Sequence, residues 1–177
     1  MIKRIFFDLD ETLLHTSVNG HPGQDCHVFT FDDDPGITYY TIVRPEATEI
    51  LAKARELVGD SNVYVLTTSR RDYATLLNEL GKLGFPKEQI FTREDLDAHR
   101  MATAYGGSAT IPSTLLADLN NVLIDNLHPR YNENKCSFIG IQGSGPNYIQ
   151  VRDYYGVHFP NNDFIHSIMQ ALYTLNE

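Results

Sequence analysis

Three short apolar stretches, each giving way to polar residues capable of chemistry, constrain this chain most. Ile5-Phe6-Phe7 runs into Asp8-Leu9-Asp10-Glu11-Thr12, Asn62 to Leu66 into Thr67-Thr68-Ser69, and Val122-Leu123-Ile124 into Asp125-Asn126. Apolar runs without alternation suit strands covered on both faces, as in a parallel sheet. Between the first two, Ala47, Ile50, Leu51, Ala54, Leu57 and Val58 recur at helical spacing, with Pro45 in the first turn and Gly59 placed to end the helix. After the second, Tyr73, Leu76, Leu77, Leu80 and Leu83 line a helix that Gly84 and Phe85-Pro86 are expected to stop. Strands alternating with helices predict an open, mostly parallel α/β sheet, with ligands outside the carboxyl ends of its strands.

The remaining segments add detail. Residues 13–25 contain Asn19-Gly20 and Pro22-Gly23 and read as a loop, followed by strands over Cys26–Phe31 and Ile37–Val43 with a turn at 32–36. Together, residues 13–44 form an expected loop and β-hairpin insert within a single domain spanning 1–177. Ile90-Phe91 reads as a short strand, residues 100–113 as irregular and mobile, and Leu115–Leu119 as one or two helical turns. Ser137–Ile141 and Tyr148–Val151 are expected to add strands. A last helix begins near Asn162 and carries Phe164, Ile165, Ile168, Met169, Leu172 and Leu175 inward.

The net charge of −9, without a basic run, argues against polynucleotide binding. Two cysteines, Cys26 and Cys136, do not make a disulfide framework. Met1-Ile2-Lys3-Arg4 leads into an apolar run too short for a signal peptide or membrane span, so a cytoplasmic location is expected, with no membrane partner.

Two carboxylates one residue apart at a strand end, joined by an acid from another strand, concentrate negative charge that a divalent cation would share. Oxygen ligands suit Mg²⁺, which binds one or two protein carboxylates and takes a further ligand from a substrate phosphate. Asp8, Asp10, Asp125 and Asn126 are the expected metal ligands. Asp8 is the expected nucleophile, Asp10 the acid and then base, and Thr12 the support of their turn. Thr67, with Thr68, is placed to hold phosphate oxygens at the start of a helix.

Phe7-Asp8-Leu9-Asp10-Glu11-Thr12-Leu13-Leu14-His15 resembles the first motif, Asp-x-Asp-x-Thr, of the haloacid dehalogenase phosphatases, and within them the CTD phosphatases and small CTD phosphatases (NLI-interacting factor-like family). The resemblance continues in order through Arg44-Pro45, Leu66-Thr67-Thr68-Ser69 with Tyr73-Ala74, Arg93-Glu94, His99-Arg100 and Val122 to Asn126. It implies a Rossmann-like sheet with helices on both faces and Mg²⁺-dependent hydrolysis through an aspartyl phosphate. It also implies an uncapped groove for phosphoserine or phosphothreonine in a protein or peptide; a small phosphomonoester is the lesser substrate class. The family places a lysine shortly before the strand carrying Asp-Asn, yet no lysine occurs between Glu88 and Asn134. Arg100, ahead of Arg93, is the expected replacement cation and a phosphate contact. That gap keeps open a catalytically weak, phosphatase-like binding module, beside a nucleotide or nucleic-acid-end phosphatase.

Taken singly, Asp-x-Asp fits a solvated turn, Asp32-Asp33-Asp34 a surface turn without calcium-loop spacing, and the seven histidines no zinc pattern. A receiver domain also gathers acids at strand ends but lacks the Asp-x-Asp-x-Thr form. Three polar clusters at three strand ends favour the catalytic reading.

Overall fold

The structure is a computed structural model that describes residues 1–20, 25–105, 120–157 and 163–177. Five parallel strands form the main sheet: β1 (Arg4–Phe7), β5 (Val63–Leu66), β6 (Ile90–Phe91), β7 (Asn121–Asp125) and β8 (Tyr148–Gln150), in the order β6-β5-β1-β7-β8. The strand that leads to Asp8 is thus central, between those that lead to Thr67 and Asp125. Phe7 pairs with both Val65 and Ile124, so the three strands end nearly level.

Alternation along these strands builds two cores. Ile5, Phe7, Val63, Val65, Val122 and Ile124 face α1 (Ala47–Val58), α2 (Arg71–Leu80) and the C-terminal helix α5 (Phe164–Asn176), burying Ile50, Leu51, Leu77, Ile168 and Leu172. Phe6, Leu66 and Leu123 face α3 (Arg93–Ala104) and α4 (Glu133–Ile139), with Leu96, Phe138 and Ile139. Phe6 stacks on Tyr64 at 4.8 Å, and Phe91 meets Phe138 at 5.3 Å. Truncating Phe6 to Ala would cost about 3–5 kcal/mol on this packing. Helices therefore cover both faces, as the apolar runs require.

The insert is larger than a hairpin. β3 (His27–Phe31) and β4 (Asp34–Val43) pair as expected, with a shorter turn. Leu14–Ser17, expected as loop, forms β2 and pairs with β4, giving an antiparallel sheet of order β2-β4-β3. Three further expectations change. α2 stops at Leu80 before Gly81 and not at Gly84, the chain turning through Lys82 at φ +51°. Residues 100–104 complete α3 where irregular chain was expected, while 106–113 and Leu115–Leu119 lie outside the described residues. Ser137–Ile139, expected in a strand, belongs to α4, which ends at Gly140 with φ +68°. Among the described residues no helix is long and apolar enough to cross a membrane.

Candidate active site

The turn after β1 is fixed by its backbone. Leu13 N donates to Leu9 O at 3.0 Å and Glu11 N to Leu14 O at 2.7 Å, which draws Glu11 to φ +61°, unusual for a residue with a Cβ. Arg44 clamps the turn from below. It donates to Thr12 O at 3.0 Å and lies 3.7 Å from the centre of the Phe164 ring, giving Arg44 of the insert a structural role.

Asp8, Thr12, Asp125 and Asn126 are all buried at the carboxyl end of the sheet. The Thr12 hydroxyl lies 3.0 Å from Asp8 Oδ2 and 3.2 Å from Asn126 Oδ1. Asp8 N donates to Ile124 O at 2.9 Å, tying the two strand ends together. Asn126 Nδ2 in turn donates to Asp153 Oδ1 at 2.6 Å, an acid that the sequence did not single out.

Lys135, in the first turn of α4 and only 2 % exposed, supplies the charge that faces these acids. Its ammonium donates to Asp8 Oδ1 and to Asp125 Oδ2, both at 2.8 Å. Burial alone would lower the Lys135 pKa, but Asp8 and Asp125 outweigh it and hold the ammonium protonated well above its usual range. Burial pushes the Asp8 carboxyl upward, Lys135 opposes that, and the charges of Asp125 and Asp10 add to the rise. The α4 approach is pinned by Asn132, which donates to the Tyr148 hydroxyl at 2.7 Å, and by that hydroxyl donating to Leu127 O at 2.6 Å.

Asp10 points instead toward a cleft of 410 Å³ lined by Phe31, Tyr39, Ser69, Arg70, Tyr73 and Arg93, among others. Ser69 Oγ donates to its Oδ2 at 2.7 Å and Tyr73 to its Oδ1 at 2.6 Å. Burial, then the Asp10 charge, raises the Tyr73 phenol far above its ordinary value. Thr67 is buried at the end of β5, its hydroxyl accepting from Ser69 N at 3.1 Å. Thr68 is exposed, and its carbonyl accepts from Arg93 Nε at 2.9 Å, which carries Arg93 to the cleft. Glu94 already caps α2, accepting from Arg71 N at 3.0 Å.

Arg100 is not brought to the acids. Its side chain is 62 % exposed and pairs with Asp97 at 3.3 Å on the outer side of α3, away from the cleft lining. The cation expected before the Asp-Asn strand comes after it, from α4.

Among the described residues, no three His, Cys, Asp or Glu side chains converge on one point as a metal site. The donor set nonetheless fits a hard cation. Asp8 Oδ2 and Asn126 Oδ1 sit either side of one hydroxyl, and two acids, Asp8 and Asp125, share a single lysine, leaving negative charge unmatched. The Asp125 carboxylate is engaged by Lys135 and by Leu127 N at 2.9 Å, and the Asp10 carboxylate by Ser69 and Tyr73.

Residues 3–175 match the family model described as NLI interacting factor-like phosphatase. A structure of the fission yeast RNA polymerase II CTD phosphatase Fcp1 bound to beryllium fluoride is similar, with a TM-score of 0.55 at 18% identity, over 99% of this chain and 51% of that one. A second structure of Fcp1, described as an essential RNA polymerase II CTD phosphatase, gives 0.56 at 18% identity, over 99% and 49%. The chain thus spans about half the length of those proteins, and the likeness is one of fold. No curated protein matches it.

Proposed function

Since this chain belongs to the NLI interacting factor-like phosphatase family, within the haloacid dehalogenase phosphatases, we propose that it hydrolyses phosphomonoesters through an aspartyl phosphate on Asp8. The single observation that carries this reading is the Asp8 carboxylate held between the Lys135 ammonium at 2.8 Å and the Thr12 hydroxyl at 3.0 Å, at the open end of the sheet.

The residues divide the work. Lys135 and Thr12 fix the two oxygens of Asp8, so one lone pair is aimed outward at phosphorus. As the Asp8 O–P bond forms, the bond to the leaving oxygen breaks and that oxygen takes a proton from Asp10. Water then attacks phosphorus, Asp10 recovers a proton from it, the Asp8 O–P bond breaks and phosphate leaves. Thr67 and the nearby amides face the phosphate oxygens, and Lys135 offsets charge that neither acid can carry alone.

Asp8 and Asn126 would hold Mg²⁺, with Asp125 setting the charge behind them. When bound, the ion would neutralise part of the negative charge of phosphate and nucleophile.

The substrate class we propose is phosphoserine or phosphothreonine in a protein. The open cleft beside Asp10, walled by Phe31, Tyr39 and Tyr73 and rimmed by Arg70, Arg93, Asp33 and Asp34, supports a polypeptide segment as the occupant. The binding-module alternative rested on a missing lysine, and the Lys135 ammonium 2.8 Å from Asp8 favours the catalytic reading over it. Both cysteines are unpaired, which supports a reducing, cytoplasmic location.

The test is turnover by purified protein of a phosphoserine peptide and of a mononucleotide, with and without Mg²⁺, beside Asp8→Asn. We expect Mg²⁺-dependent release of phosphate from the peptide and none from the variant. Undiminished turnover by Asp8→Asn would eliminate the mechanism, and preference for the nucleotide would eliminate the substrate class.

A further inference from the structure

We infer that Tyr73 and Ser69 are positioning residues for the Asp10 carboxyl, and that the insert sheet controls that position through Thr16 and Thr41. The inference rests on the reading of Asp10 as the acid that protonates the leaving oxygen.

Each oxygen of Asp10 has its own tether, Ser69 Oγ at 2.7 Å and the Tyr73 hydroxyl at 2.6 Å. Two tethers fix the plane of the carboxyl as well as its direction. The Tyr73 oxygen also lies 2.7 Å from Thr16 Oγ1, which lies 2.7 Å from Thr41 Oγ1. A phenol has one proton. With that O–H donating to Asp10 Oδ1, the Tyr73 oxygen accepts from Thr16 Oγ1, which in turn accepts from Thr41. Thr16 and Thr41 are opposed partners in β2 and β4, and Thr41 is only 1% exposed, so its hydroxyl has little access to solvent partners. The hydroxyl row therefore has one direction, from the buried insert to the acid.

The Tyr73 ring is also part of the cleft wall. Its centre is 6.4 Å from those of Phe29 and Phe31, and Phe29 stacks on Tyr39 at 5.4 Å. A chain segment entering the cleft would meet the same ring whose hydroxyl orients the acid. That couples occupancy of the insert to proton delivery, a role that a purely structural sheet would not have.

An acid matters most when the leaving oxygen is a poor anion. Nitrophenolate departs nearly unaided, whereas unsubstituted phenolate benefits from a proton. The test is kcat/KM across a series of substituted phenyl phosphates for wild type, Tyr73→Phe, Ser69→Ala and Ser69→Thr. This parameter reports formation of the phosphoenzyme, before Asp10 acts as a base, and its slope against leaving-group acidity does not depend on how much of a variant is folded.

We expect Tyr73→Phe and Ser69→Ala to lose about 30-fold on phenyl phosphate, less than the roughly 10²–10⁴-fold an acid–base group supplies because the acid is misplaced and not removed, and less than about threefold on 4-nitrophenyl phosphate. Ser69→Thr, which keeps the hydroxyl, should keep the wild-type slope. A crystal structure of Tyr73→Phe should show the Asp10 carboxyl displaced from its present plane. Equal losses on all esters, or an unmoved Asp10, would overturn the inference. Absence of turnover by wild type would overturn the phosphatase reading and this inference with it, so the two failures are distinguishable.

Discussion

Lys135 Nζ lies 2.8 Å from Asp8 Oδ1 although 127 residues separate them, and the same ammonium reaches Asp125 Oδ2. A residue of α4 thus joins the ends of two strands, β1 and β7, in a site with almost no solvent. Two acids without that lysine would repel one another at close range, and burial would leave neither able to ionise freely.

Replacing Lys135 by Met should therefore affect stability and catalysis together. We expect about 3–5 kcal/mol of destabilisation in urea without metal, because a buried pair loses one partner. Added Mg²⁺ should restore part of it. Turnover should fall by about 10²–10³-fold, and Lys135→Arg should not recover it, since a planar guanidinium does not occupy the place of an ammonium between two carboxylates. Arg100→Ala, in contrast, should stay within about twofold of wild type in kcat, as expected of an exposed residue paired only with Asp97. The opposite ranking in a steady-state assay would reassign the cation.

Much of this architecture is legible in the residue pattern. Ile5 to Phe7 and Val122 to Ile124 are continuous apolar runs, and their burial on both faces follows from the helices on either side of the sheet. Asp8, Thr67, Asp125 and Asn126 could be gathered because each directly follows or ends such a run. Lys135 could not be gathered in that way. It stands at no strand end, and Ser137–Ile141 reads equally well as a buried strand when apolar content is the only guide. The discriminating signal is the spacing of Lys135 with Phe138 and Ile139, three and four positions on, which places all three on the inner face of a helix. β2 was hidden for another reason. Of His15, Thr16 and Ser17 only Thr16 favours a strand, and their extended form is set by pairing with β4.

Thr12 holds Asp8 and Asn126 with one hydroxyl, so Thr12→Val removes a hydrogen-bond donor while keeping shape. The buried oxygens of Asp8 and Asn126 lose the one proton they share, which should cost about 1–3 kcal/mol in a denaturant titration. Affinity for Mg²⁺, measured calorimetrically, should weaken by about 10–100-fold, as for other groups that orient metal ligands. Unchanged affinity would place the metal elsewhere than between Asp8 and Asn126.

Glu11 carries two local burdens, a backbone at φ +61° and a carboxyl raised from 4.5 to about 7 by burial and then by the charges of Asp10 and Asp153. Between those values the folded chain binds the proton more tightly than the unfolded chain does. Stability from this group is therefore highest below pH 4.5, declines as pH rises through the window, and reaches its full penalty above about 7. Glu11→Gln should gain about 1 kcal/mol near pH 8, a figure reduced for the partial solvent access of the site, and nothing near pH 4. Urea melts at both pH values check the sign. A variant less stable near pH 8 would show that the His15 contact at 3.1 Å outweighs the repulsion.

If phosphate passes through Asp8, rapid acid quench of the wild type during turnover of a phosphoserine peptide with Mg²⁺, followed by peptide mass analysis, should trap it there. We expect one phosphoryl group on the peptide containing Asp8, lost on treatment with hydroxylamine and absent in Asp8→Asn. Turnover that proceeds with no such adduct at any quench time, or with the adduct on another residue, would contradict passage through Asp8.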